Sequence, residues 1–179
     1  MLRAAGVEHD SVASAVDEAA VKARHSDPLQ LSSELAEAKA LSVSDTSAEP
    51  WVIGGDSIVS VRGRMFDKPR SREEAAEHLR LFSGKTMQLT SAVALARAGE
   101  VDWSHVESAS LVIRELSEGF IHHYLEAEWP EVGYCVGVFR LEGRGVQLFE
   151  RIDGDHFTIL GMPLIPLLRA LRERGLLPA

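Results

Sequence analysis

Along most of this chain apolar residues recur either every second position or every third and fourth, and the two periods sort it into strands and helices. Met87, Leu89, Ser91, Val93 and Leu95 alternate with smaller residues and predict a strand. Gly99-Glu100 turns it into a partner strand running from Val101 to Ile113. Leu31, Leu35 and Ala38 form one stripe behind Asp27-Pro28, an N-cap followed by a first-turn proline, so a helix starts there. Ser71 with Glu74 is a capping box, and Ala75, Leu79 and Phe82 give the helix behind it one buried face. Ser117 opens another helix with Phe120, Ile121, Tyr124 and Leu125 inward, and Met162-Pro163 opens the last, with Leu164, Leu167, Leu168 and Leu171 inward and Gly175 as cap. His9 to Val16 is expected to be a short strand closed by Asp17-Glu18, and Ser44 to Pro50 a polar linker. Met1 to Ala5 reads as helix capped by Gly6, yet too short to stand alone.

One stretch departs from plain alternation. Val52 and Ile53 start a β-branched run that stops at Gly54-Gly55, Asp56 follows at once, and Ile58, Val59 and Val61 resume the extended pattern. This predicts a carboxylate delivered at the end of a buried strand, with two glycines leaving room for a bulky group or a metal to approach the backbone. Arg62-Gly63-Arg64 makes a tight turn, and the returning segment brings Lys68 towards Asp56. An acid and an amine so placed suit a phosphate ester held through a divalent cation. A surface hairpin with an incidental ion pair accounts for these residues equally well.

Other candidates are weaker. Gly84-Lys85-Thr86 is no phosphate loop, since Leu79 stands where the upstream glycine belongs and the order is helix then strand. His122 and His123 are adjacent on a helix, diverge by roughly 100° and cannot share one ion. Gly137, Gly143 and Gly145 flank Arg140-Leu141-Glu142, before a strand expected over Val146, Leu148 and Ile152. That glycine-bracketed loop is a plausible site for a planar base or an ordinary surface loop.

Composition sets the outer bounds. At 179 residues the chain fits one domain, and no apolar run approaches a membrane span. The single cysteine, Cys135, excludes an internal disulfide and fits a reducing, cytoplasmic setting. A net charge of −8 argues against tracking a nucleic-acid polymer but leaves room for one nucleotide with its metal. A homodimer is compatible with the chain.

VIGGDS, the D-K-P eleven residues beyond Asp56 and the SREEAAEHLRLFSGKT helix together resemble the Maf family of nucleoside triphosphate pyrophosphatases. The resemblance runs from Leu2 to Leu171, with its blocks in the family's order. It implies an α/β fold, an elongated twisted mixed sheet flanked by helices, with two lobes around a central cleft. The implied reaction takes a nucleoside triphosphate to the monophosphate and pyrophosphate, as house-cleaning of non-standard nucleotides, with Mg²⁺ or Mn²⁺; the family is also associated with arrest of septum formation. Residue by residue, it makes Asp56 and Glu18 catalytic and metal-binding, and Lys39 and Lys68 phosphate ligands. Without it, Glu18 is a solvated helix-start charge and Lys39 a lysine whose stem lies along the core. It makes Ser57, where Thr is common, and Glu142, where Gln is common, base-recognition residues. An ionised Glu142 only accepts hydrogen bonds, which favours the N–H edge of guanine over uracil or thymine. Two alternatives are a non-catalytic nucleotide-binding regulator of septum formation and a pyrophosphatase specific for a methylated guanine nucleotide. Family members open with a strand and an S-x-S-x-R-R loop that this sequence lacks. The expectation is that the reading frame continues upstream and that the chain without that segment is less stable and nearly inactive.

Overall fold

The computed structural model describes residues 1–44 and 51–178, so all of the expected linker but Ser44 lies outside the described residues. After a 3₁₀ turn at Arg3–Ala5, closed by Gly6 at φ 78°, come α1 (Glu18–Lys22) and α2 (Pro28–Ser44). Then follow β1 (Val52–Val61), β2 (Arg64–Phe66), α3 (Arg72–Phe82), β3 (Thr86–Arg97), β4 (Glu100–Ile113) and α4 (Glu118–Glu128). β5 (Phe149–Asp153), α5 (His156–Ile159) and α6 (Leu164–Glu173) complete the order. The strands form one sheet in the order β2-β1-β3-β4-β5, flanked by helices. β1 pairs antiparallel with β2, Val59 opposite Phe66, and β4 pairs antiparallel with β5, Leu111 opposite Ile152. The β1–β2 and β3–β4 hairpins each close on two residues of positive φ, Arg62-Gly63 at 51° and 78° and Ala98-Gly99 at 53° and 78°. Such turns match the twist of the strands they join.

The chain divides into two compact units. The first comprises Met1–Ser57, Thr90–Glu107 and Asp155–Ala179, the second Ile58–Leu89 and Ser108–Gly154. In the first unit β3 is buried on both faces, and its residues sort by parity. Val93 and Leu95 pack with Leu167 and Leu171 of α6, whereas Ala92, Ala94 and Ala96 pack with Ala36 and Ala40 of α2. That row of methyl groups lets α2 lie close to the sheet. In the second unit Phe66, His78 and Phe82 form an aromatic cluster with Phe66 edge-on to both partners, and Arg80 makes a two-pronged ion pair with Glu118 at 2.8 and 2.9 Å.

Three expectations are corrected. Val52 to Val61 is one continuous strand, so Asp56 sits in its middle and not at its end. His9 to Val16 is neither strand nor helix; Val12 is 67% exposed, so alternation there has no face to bury. Val146 belongs to a 3₁₀ turn, Arg144–Leu148, and β5 begins only at Phe149.

Candidate active site

Three residues of the first unit converge, each for a local reason. Asp17 caps α1 by accepting from the Ala20 amide at 3.1 Å, which leaves Glu18, the first helical residue, to point its carboxylate elsewhere. Lys39 lies on the turn of α2 between Ala36 and Ala40, the face pressed against the sheet. Gly54 of β1 is what lets it press so closely. A Cβ there would collide with the Ala36 carbonyl oxygen and stand 2.6 Å from the Ala40 nitrogen. The space expected to admit a ligand at Gly54 is therefore filled by helix backbone. Gly55 faces the other way, where a Cβ would make only 3.4 Å and 3.7 Å contacts with the Ala92 carbonyl and Met162. Two residues beyond Gly54 and on its face, Asp56 meets α2.

The result is a lysine held between two carboxylates. Lys39 Nζ lies 2.5 Å from Asp56 Oδ1 and 2.7 Å from Glu18 Oε1, and Lys22 Nζ lies 3.9 Å from the other oxygen of Glu18. Side-chain exposure is 11% at Asp56, 20% at Lys39 and 42% at Glu18. Burial pushes the Asp56 carboxyl above the usual aspartate range, and the hydrogen bond and charge of Lys39 offset this only in part. Burial works against the Lys39 ammonium too, but its bonds to Asp56 and Glu18 outweigh that and hold its pKa above the ordinary value. Lys39, Gly54 and Gly55 also border a cavity of about 750 Å³ walled by Val7, Trp51 and Leu171.

Hard carboxylate oxygens are the donor type that Mg²⁺ and Mn²⁺ take, and Mg²⁺ commonly uses one or two of them together with substrate phosphates. Glu18 and Asp56 fit that chemistry. Among the described residues no group of three or more His, Cys, Asp or Glu side chains is placed to hold a metal by itself.

Ser57 lies on the opposite face of β1 from Asp56, as neighbours in a strand must. Its Oγ is 2.7 Å from Ser91 Oγ and 3.3 Å from the Gly161 carbonyl. Ser91 donates to the Thr158 carbonyl at 2.8 Å, and Thr158 Oγ1 donates to Glu107 at 2.7 Å. Nothing in the sequence singled out this buried network; the signal was a hydroxyl at position 91 in an otherwise apolar row of β3. Lys22 was missed as well, for it reads as an ordinary exposed helix lysine. In the second unit Lys68 and Glu142 are both exposed, and their charges, with that of Arg140, act on the Cys135 thiol. Burial and the Glu142 charge raise the pKa of that thiol against the opposing pull of Arg140 and Lys68.

An acid–lysine–acid cluster has the chemistry to meet charged, oxygen-rich groups, and Ser57 and Ser91 lie on the opposite face of the sheet. The chain belongs to the Maf family: the family described as Maf-like protein matches residues 1–174. It is 44% identical over 183 residues to a 7-methyl-GTP pyrophosphatase from Rhizobium meliloti (strain 1021), covering 100% of this chain and 92% of the relative. It is 43% identical over 183 residues to a nucleoside triphosphate pyrophosphatase from Sphingopyxis alaskensis, covering 99% and 92%. A 7-methyl-GTP pyrophosphatase from Brucella suis is 44% identical over 177 residues, covering 97% and 89%.

Proposed function

We propose that this chain is a nucleoside triphosphate pyrophosphatase, splitting its substrate between the α- and β-phosphates into a monophosphate and pyrophosphate. The observation that carries this is the convergence of Glu18 and Asp56 on the Lys39 ammonium, within a family whose relatives bear that name. Asp56, its carboxyl biased towards holding a proton, takes the proton of the water that attacks the α-phosphorus. Lys39 neutralises phosphate oxygens, and the family resemblance assigns Lys68 as a phosphate ligand too. A bound Mg²⁺ or Mn²⁺, held by Glu18 and Asp56, would supply further neutralisation of phosphate charge. Ser57 and Glu142 are assigned to the base. Glu142 as a pure acceptor favours guanine, and names of relatives that specify 7-methyl-GTP support a methylated guanine as the preferred base.

A panel of nucleoside triphosphates, including 7-methyl-GTP, dTTP and UTP, assayed with the product of the full reading frame for pyrophosphate release with Mg²⁺ and Mn²⁺ tests the reading. The expected outcome is pyrophosphate from every accepted substrate and a guanine-type preference. Nucleotide binding without pyrophosphate release would instead make the chain a regulator that senses nucleotides, and a preference for dTTP or UTP would remove Glu142 from its role. No described helix is long and apolar enough to cross a membrane.

A further inference from the structure

We propose that Lys39 is an internal counterion that occupies the cation position of the site until a nucleotide arrives, so that metal and nucleotide load together. The inference rests on the metal and phosphate assignments proposed above. Its ground is where the Lys39 ammonium sits. Among the described residues it lies against one oxygen of Asp56 and one of Glu18, with Lys22 near the other oxygen of Glu18. Asp56 Oδ1 and Glu18 Oε1, oxygens of the two carboxylates that would hold a divalent ion, both accept from Lys39.

A divalent ion cannot join them while the ammonium stays. The two cations would repel across a mostly buried site, where solvent screens poorly. Lys39 must therefore leave, and it must leave for another anion, because a half-buried ammonium stripped of both carboxylates would be desolvated without compensation. A triphosphate is that anion. It draws the ammonium onto its own oxygens and uncovers the two carboxylates for the ion that travels with it. By reciprocity, whatever the nucleotide does for metal affinity the metal does for nucleotide affinity. Lys39 is thus a gate on metal loading as well as a phosphate ligand, and its flexible stem suits a residue with two resting places.

The test measures binding of Mn²⁺ alone, by the loss of its free-ion paramagnetic resonance signal, to the full chain without nucleotide. The wild type should bind weakly. Lys39→Met, close in length but uncharged, should bind at least about tenfold more tightly, since a repelling unit charge next to a divalent ion has gone. Lys39→Gln should do the same and serves if the Met variant misfolds, while Lys39→Arg, which keeps the cation, should stay weak. Folding of each variant is checked by circular dichroism. Folded Met and Gln variants that bind Mn²⁺ no better than the wild type would overturn the exchange. Adding Asp56→Asn to Lys39→Met separates the two levels of the argument. Lost Mn²⁺ binding places the ion at Asp56, whereas undiminished binding means that the ion sits elsewhere, and the metal assignment falls with the proposal.

Discussion

Asp56 is a carboxylate under tension between two demands. Burial raises its pKa from 3.8, so the folded state holds the proton more readily than the unfolded chain does. The sign follows from linkage: its charge costs folding stability at pH values above the raised folded pKa, and the cost disappears in acid, once both states are protonated. The melting temperature of Asp56→Asn relative to that of the wild type should therefore rise from pH 4 to pH 8. Turnover should fall by roughly 10²-fold or more, as for a lost general base. Calorimetry across pH together with a pyrophosphate assay checks both halves, and a rate near the wild-type value would free Asp56 of its role. At this scale Asp56 stood out from its own stretch, but its meeting with Glu18 and Lys39 was legible only through family resemblance, because the three stand far apart along the chain and no spacing rule joins them. One point could have been had from alternation alone. Asp56 and Ser57 are neighbours in a strand and must face opposite ways, but the glycine pair before them looked like the end of that strand.

The element that places the site is the contact of α2 with the sheet, and it depends on what is missing from β1 and β3. Alanines at 92, 94 and 96 and a glycine at 54 form a shallow bed for the helix that carries Lys39. Gly54→Ala would drive a methyl group into helix backbone that has no side-chain end to yield. It should destabilise the protein by about 1–3 kcal/mol or more, as overpacking does, and should cut activity by moving Lys39 off Asp56. Gly55→Ala, whose methyl meets only ordinary contacts, should be nearly silent in both respects. Urea titration of the two variants beside an activity assay makes the comparison. The alternation of β3 revealed the strand and left the destination of its small face unread, for a row of alanines is equally at home under a helix or at a barrel corner. His9 to Val16 misled for the opposite reason. Val12 and Val16 keep one parity, as in a strand, but Val12 is left largely exposed.

For the whole molecule, most of the element order could be read from periodicity, while a two-lobed division was expected only from the family resemblance, since long strands contribute residues to both units. Stability in acid should be governed from the second unit. His78, 8% exposed within the Phe66 and Phe82 cluster, has a buried Nδ1 with no hydrogen-bond partner among the described residues. Burial lowers its pKa below 6.5, helped by Arg64 and opposed by Glu74, Glu77 and Asp67. The unfolded chain takes up that proton first, so folding stability is lost as pH falls through the histidine range. The urea midpoint of the wild type should drop between pH 7.5 and 5.5 by more than that of His78→Leu, and equal drops would clear His78. The first unit carries a different kind of security. A cation supplied by the chain itself cannot be diluted away, chelated or outcompeted, and Lys39 is tied to its carboxylates by covalent backbone from the moment of synthesis. A newly made chain therefore closes its two acids together without waiting for an ion from the surroundings. On the exchange proposed above, its folding would wait on no metal, and metal supply would matter only once the finished molecule goes to work.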